Sequence, residues 1–222
     1  MGINTIHIPL GLRMSGSALK VIAVLSMVAD HCALYLMEHG TPLYEAMRCV
    51  GRIAFPVFAF LIAEGYVYSK DRIWYFIKLL GFAFISEIPW YLLNGADGTH
   101  NVMFTLALGV LAIGVFDKLV ERRLLCVCCL LSLAWLATLT GVDYEWRGIL
   151  MIVLFYMLRS NRACQLLLTF PLMMHYGITG VFLACAVLLL YDGTRGFAKG
   201  RIAKYGFYLF YPVHLMAIYY CT

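Results

Sequence analysis

Residues 18–37 read ALKVIAVLSMVADHCALYLM, an apolar run of membrane-spanning length broken by Lys20, Asp30 and His31. About twenty apolar residues in a helix cross the ~30 Å hydrocarbon core of a bilayer. Lys20 and His31 stand eleven positions apart. Eleven steps of about 100° return a helix to within ~20° of its start, so the two side chains share a face roughly 16 Å apart along the axis. Ionisable groups in such a segment are costly, face a bundle interior or a wet cavity, and mark a functional site by default.

The rest of the chain has the same character. Its 222 residues are 63% hydrophobic and only 13% charged, with a mean hydropathy of +0.85; a soluble domain carries about 25% charged residues. The apolar material falls in blocks long enough to span a bilayer. These features predict an all-α, polytopic integral membrane protein whose main partner is the lipid bilayer, organised as a single domain over 1–222. The start, MGINTIHIPLGLRMSGSA, has neither a cleaved-signal pattern nor the Ser or Thr at position 6 that myristoylation uses. A net charge of +5 invites a nucleic-acid partner, but the cations are spread over alternate loops, so none is expected. Most of the eight cysteines lie inside apolar runs, where a thiol acts as a small hydrophobe. The CVCC cluster at 126–129 has no flanking His or carboxylate, and no metal is expected.

Nine spans are predicted, at about 18–37, 46–69, 72–93, 101–119, 124–140, 147–158, 163–176, 178–191 and 206–221, the sixth to eighth being short. On this pattern fourteen of the seventeen Lys and Arg fall on one side: Arg13, Lys20, Lys70, Arg72, Lys78, Lys118, Arg122, Arg123, Arg159, Arg162, Arg195, Lys199, Arg201 and Lys204. Only Arg48, Arg52 and Arg147 fall on the other. The excess of cations marks the cytoplasmic side, which places the N-terminus inside and the C-terminus outside.

With sides assigned, each polar group within the spans acquires a depth. Lys20 lies at the cytoplasmic end of the first span and Asp30 and His31 lie beyond the midplane. The second span runs the other way, so an antiparallel hairpin brings Glu64 level with Lys20, and Arg52 level with Asp30 and His31. Opposite charges then meet at both depths, as desolvation requires. Pro56 interrupts the second span and frees carbonyls to line a cavity. The outer half further collects Glu87, Arg48, Asn101, Tyr211 and His214. A carboxylate holding a histidine suits general-base work; Asp30, adjacent in sequence, diverges by about 100°, which leaves Glu87 or another span for that role. Structural alternatives stay open: a Lys20–Glu64 pair that only stabilises, and His214 bonded to a backbone carbonyl at the Pro212 kink. His7, His39, His100 and His175 sit at loops or span ends and read as solvated or interfacial.

Six stretches carry a family resemblance: LKVIAVLSMVADHCALYL (19–36), RCVGRIAFPVFAFLIAEGY (48–66), FAFISEIPWYLL (82–93), NVMFTLALGVLAI (101–113), GILMIVLFYMLR (148–159) and KYGFYLFYPVHLMAIYY (204–220). Together they resemble the TraX family, whose founding member is associated with N-terminal acetylation of conjugative pilin. The most specific parts are GRIAFPxFAFLxxEGY and YLFYPxHL. The Lys20–x10–His31 spacing also resembles the Arg/Lys–x10–His motif of type 3 membrane acyltransferases, which transfer acyl groups from cytoplasmic acyl-CoA to acceptors outside. The resemblance implies an acetyl-CoA-dependent membrane acyltransferase with His31 as the catalytic histidine and Lys20 facing the donor. Arg52 and Glu64 match its strongest block, and Asn101 and His214 match later blocks.

The residues themselves accommodate this chemistry. Arg13, Lys70, Arg72, Lys78, Arg195, Lys199 and Arg201 could supply a positive entrance for the CoA phosphates, with Lys20, Arg72 and Lys78 nearest the donor. Asp30, Arg52, Glu64 and Glu87 would support His31, and Arg48, Asn101, Tyr211 and His214 would line the acceptor side. The acceptor is an amine or hydroxyl of a peptide or protein N-terminus or of a glycan. Two rivals come from other classes. One is a proton-coupled transporter using Lys20, Glu64, Asp30 and His31 as a relay, although no internal repeat is evident. The other is a non-enzymatic envelope assembly factor.

Overall fold

A computed structural model describes residues 13–175, 177–198 and 200–222, without the side chains of Arg201 and Lys204. His7, Lys199 and the side chains of Arg201 and Lys204, all used in the sequence argument, therefore lie outside the described residues. The described residues form ten helices: α1 (Gly16–Leu36), α2 (Pro42–Gly51), α3 (Ala54–Tyr68), α4 (Arg72–Asn94), α5 (Val102–Leu119), α6 (Arg123–Leu139), α7 (Glu145–Met157), α8 (Arg162–Met174), α9 (Ile178–Leu189) and α10 (Arg201–Tyr219). Among them no strand occurs beyond two isolated bridges, Met14 with Tyr191 and His100 with Val142.

Local chemistry sets the boundaries. Ser15, Thr41, Asp71, Asn101 and Asn161 each accept a hydrogen bond from a first-turn amide and so start α1, α2, α4, α5 and α8. Pro42 occupies the first turn of α2, where its missing N–H costs nothing. All nine expected segments are helical. The second differs in being two helices, α2 and α3, separated at Arg52–Ile53. Pro56 explains the break, because its ring clashes with the carbonyl four residues earlier, that of Arg52, and offers it no N–H. The chain adapts through short-range bonds, with Ile53 N–H donating to the Val50 carbonyl at 3.1 Å.

Four stretches are long and apolar enough to cross a membrane: Gly16–Leu36, Pro42–Tyr68, Arg72–Asn94 and Val102–Leu119. The helices Arg123–Leu139, Arg162–Met174 and Ile178–Leu189 are apolar but shorter. The molecule is an all-helical membrane protein. α3 is its central element, packed against α1, α5, α7 and α9, with Val57, Ala59 and Phe60 fully buried. α6 lies at the edge and exposes Leu124, Leu131, Trp135 and Leu139, a surface suited to lipid. α1 packs on both α2 and α3, as the antiparallel hairpin requires. All eight cysteines are free.

Candidate functional site

A cavity of about 550 Å3 runs along the inner faces of α1 and α10, walled by α3, α4 and α5, a volume typical of ligand sites. On α1 its lining residues are Gly16, Lys20, Val24 and Met27; the next position on that face, one turn on, is His31. On α10 they include Phe207, Tyr208 and Tyr211, and His214 follows at helical spacing. The two stripes converge on the histidines. Lys20, Glu64 and Arg195 make one end of the cavity polar, while Val102, Met103 and Tyr211 line it nearest the histidines.

His31 and His214 form a hydrogen-bonded pair. His31 Nδ1 lies 2.6 Å from His214 Nε2, with the ring planes 2° apart. His214 Nδ1 is 3.1 Å from the carbonyl of Phe210. A carbonyl only accepts, so His214 donates from Nδ1, its Nε2 accepts, and His31 donates from its own Nδ1. The chain of bonds leaves the lone pair of His31 on Nε2. His214 thus makes the carbonyl bond expected at the kink and also partners His31. Tyr35 and Tyr211 border the pair, with ring centroids 6.2 Å and 6.3 Å from that of His31.

Asp30 turns away from His31 and meets Arg48 at 2.8 Å. This corrects the expected pairing with Arg52, which sits at the α2–α3 break and contributes to Asp30 only at longer range. Arg52 instead packs its aliphatic stem against Gly180 of α9, where an added Cβ would lie 2.3 Å from Arg52 Cβ. Asp30 gains its position through Gly51: a Cβ there would lie 2.2 Å from Asp30 Oδ1. Asp30 Oδ1 and the Tyr211 hydroxyl are buried without a hydrogen-bond partner among the described residues.

Glu87 does not hold His31 either. One carboxylate oxygen pairs with His100 Nδ1, and the other accepts from Asn101 Nδ2 at 2.6 Å. Asn101 also donates to the Ala83 carbonyl at 2.9 Å and accepts from Met103 N–H at 3.1 Å. This cluster ties α4 to the start of α5, where a negative charge complements the helix dipole. His100, read as interfacial, is therefore a hydrogen-bond partner of Glu87.

At the opposite end, Glu64 and Lys20 both line the cavity, and Glu64 accepts from the Tyr191 hydroxyl at 3.2 Å. Arg162, stacked over Phe60 at 4.4 Å, reinforces Glu64 electrostatically. Lys20 Nζ lies 5.7 Å from the Phe207 ring centroid. Arg72 and Lys78, expected near a donor, do not line the cavity. Arg72 is held by Asp117 at 2.6 Å and stacks on Tyr66 at 4.5 Å; Tyr156 also donates to Asp117, at 2.5 Å.

Asp117, Arg162 and Asp143 were missed in the sequence because each stands at a segment end or loop and reads as solvated. Asp143 lies in the α6–α7 connection within electrostatic reach of Asp30, Arg52 and Arg48, and burial pushes its carboxyl up to about 7. Its carbonyl accepts from Thr105 and its N–H donates to the His100 carbonyl at 2.9 Å. The next residue, Tyr144, adopts φ 64° and lays its ring on Phe55 at 3.5 Å between centroids. Left-handed backbone at a non-glycine residue is strained and persists where packing imposes it. Among the described residues no cluster of three or more His, Cys, Asp or Glu is placed to hold a metal ion.

Membrane-length helices around an internal, ligand-sized cavity, with a hydrogen-bonded histidine pair one turn beyond its Met27 and Tyr211 walls, define a polytopic membrane protein with a candidate polar site. The chain belongs to the TraX family: the family model, described as TraX protein, matches residues 15–222. It is 30% identical over 235 residues to a probable fimbrial assembly protein FimC, serogroup H1, of Dichelobacter nodosus, covering 90% of this chain and 93% of that protein. It is 26% identical over 148 residues to an uncharacterized protein of Rickettsia prowazekii (strain Madrid E), covering 65% of this chain and 56% of that protein. No solved structure matches the chain.

Proposed function

We propose that this protein is a membrane acyltransferase that moves an acetyl group from cytoplasmic acetyl-CoA to an amine or hydroxyl on the outer side of the cytoplasmic membrane. The chain crosses nine times in this reading, α2 and α3 forming one broken crossing, with the N-terminus inside. The distribution of Lys and Arg supports that orientation. Alkaline-phosphatase fusions after Gly95 and after Arg122 test it: only the first should be active.

The observation that carries the reading is the bond chain from His31 through His214 to the Phe210 carbonyl. It fixes one tautomer of His31 and leaves Nε2 as the base, one helical turn beyond Met27 of the cavity wall, while Lys20 and Arg195 line the same cavity. These cations suit the phosphates of the donor, and the largely apolar walls suit its thioester arm. His31 Nε2 takes the proton of the acceptor as it attacks the thioester, and His214 spreads the positive charge that results. The Asp30–Arg48 pair steadies α1 against α2 beside the reacting centre. The assembly role in the name of the Dichelobacter nodosus relative favours a subunit of a surface fibre, through its N-terminal amine, as the acceptor.

The test is transfer of labelled acetyl in proteoliposomes to a peptide with a free N-terminal amine, with release of CoA thiol measured in parallel. The wild type should label the peptide but not its N-blocked form, and His31→Ala should lose at least about 10²-fold. CoA should also raise the melting temperature, since a ligand that binds only the folded state stabilises it. Transfer by His31→Ala at the wild-type rate refutes the assignment. A protein that CoA leaves unchanged points to a transporter.

A further inference from the structure

The cavity ends at Tyr211, whose hydroxyl has no hydrogen-bond partner among the described residues although the residue is only 4% exposed. A buried, unsatisfied hydroxyl is costly, and native proteins keep few of them. The backbone N–H of Val102, the first residue of α5, is turned toward the hydroxyl oxygen, and both residues line the cavity. First-turn amides have no acceptor within their helix and carry the positive end of its dipole. The Asn101 side chain caps the Met103 N–H, so the cap does not occupy that of Val102. The Val102 N–H therefore faces the hydroxyl oxygen and leaves the O–H as the donor on the cavity wall, with 5.4 Å between the ring centroids of Tyr211 and His214.

We propose that the Tyr211 hydroxyl, oriented by the Val102 N–H, is the donor that stabilises the oxyanion formed from the carbonyl oxygen of the donor thioester. The assignment rests on the acyl-transfer reading above. The acceptor nitrogen or oxygen bonds to the thioester carbon while its proton passes to His31 Nε2, and the electron pair of the carbonyl moves onto oxygen. That oxygen accepts from the Tyr211 hydroxyl, beside the start of α5, where the helix dipole favours negative charge. The carbonyl then reforms, the carbon–sulfur bond breaks, and the sulfur leaves as CoA thiol with the proton from His31. Nothing else is consumed. Tyr211 is on this account a catalytic residue, and its O–H is spared from internal bonding because its acceptor arrives with the substrate.

Tyr211→Phe in the full-length protein separates this role from a structural one. Removing one oxyanion donor lowers turnover about 10²–10³-fold, so kcat should fall by that factor with KM for acetyl-CoA nearly unchanged. The melting temperature should change little, because the hydroxyl makes no hydrogen bond of normal geometry among the described residues. Val102→Pro removes the N–H that orients Tyr211, at a helix position that tolerates proline, and should lower kcat by less than Tyr211→Phe does. A Tyr211→Phe protein with wild-type kcat, or with only a raised KM and a lower melting temperature, overturns this role of Tyr211 while His31→Ala stays inactive. If His31→Ala is active as well, the acyl-transfer reading itself has failed.

Discussion

Replacing His214 with Phe keeps the ring volume and deletes only the acceptor that sets His31. In the wild type His31 Nδ1–H donates to His214 Nε2 at 2.6 Å, and that bond strengthens when His31 takes a proton and becomes charged. A hydrogen bond to a charged group contributes about 1.5–3 kcal/mol, which at about 1.4 kcal/mol per decade is roughly a 10–150-fold loss in rate. A second loss comes from the tautomer, because without His214 nothing compels the proton of His31 to stay on Nδ1. His214→Gln, whose amide oxygen can accept, should recover part of the rate. Transfer of labelled acetyl in proteoliposomes measures both variants. The double variant with His31→Ala should be no slower than His31→Ala alone, since residues acting as one unit are non-additive. A His214→Phe protein within about twofold of wild type, alongside an inactive His31→Ala, would refute the relay.

Two further outcomes follow from the packing around Asp30. Gly51→Ala should destabilise the protein by about 1–3 kcal/mol, because the new Cβ would stand 2.2 Å from Asp30 Oδ1; thermal denaturation in detergent reads this, and an unchanged midpoint contradicts the close approach of α1 and α2. Asp143 yields a pH dependence. Burial raises its carboxyl from 3.8 to about 7 in the fold, so between these values the folded state keeps a proton that the unfolded state has lost. Its contribution to stability is then full below the lower value and disappears as pH rises through the upper one. Asp143→Asn lacks this slope, and its melting temperature relative to wild type should rise between about pH 5 and about pH 8; a constant difference would mean that the carboxyl titrates as in water.

Much of the architecture is legible in the chain because lipid imposes a simple code. Backbone polar groups must be bonded within each segment, so long apolar runs become helices. The predicted and observed segments accordingly agree, and Pro56 marked the one interruption. Partner choice was less legible. Depth matching along two helices orders groups along one axis but leaves rotation about it open. That freedom separates Arg48, which faces Asp30, from Arg52, one turn on, which faces α9. Glu87 was at the right depth for His31 yet lies on a helix whose neighbour at that point is the start of α5. Asp143 and Asp117 were invisible because a carboxylate at a loop or helix end reads as solvated until another helix covers it.

What the chain alone determined was the class of molecule, the helical segments and the axis from Lys20 to His31. Hydrophobic run length, the 3.6-residue period and the placement of cations are local properties, and local properties survive without knowledge of neighbours. What only the tertiary structure decided was the partner of each polar group. His214 stands 183 positions from His31 and reaches it only because α10 packs beside α1. That contact converts a costly histidine in an apolar helix into one with a fixed tautomer and a directed lone pair. Side-chain hydrogen bonds act over about 3 Å, and whether two groups come that close is settled by helix rotation and packing, which no single segment encodes.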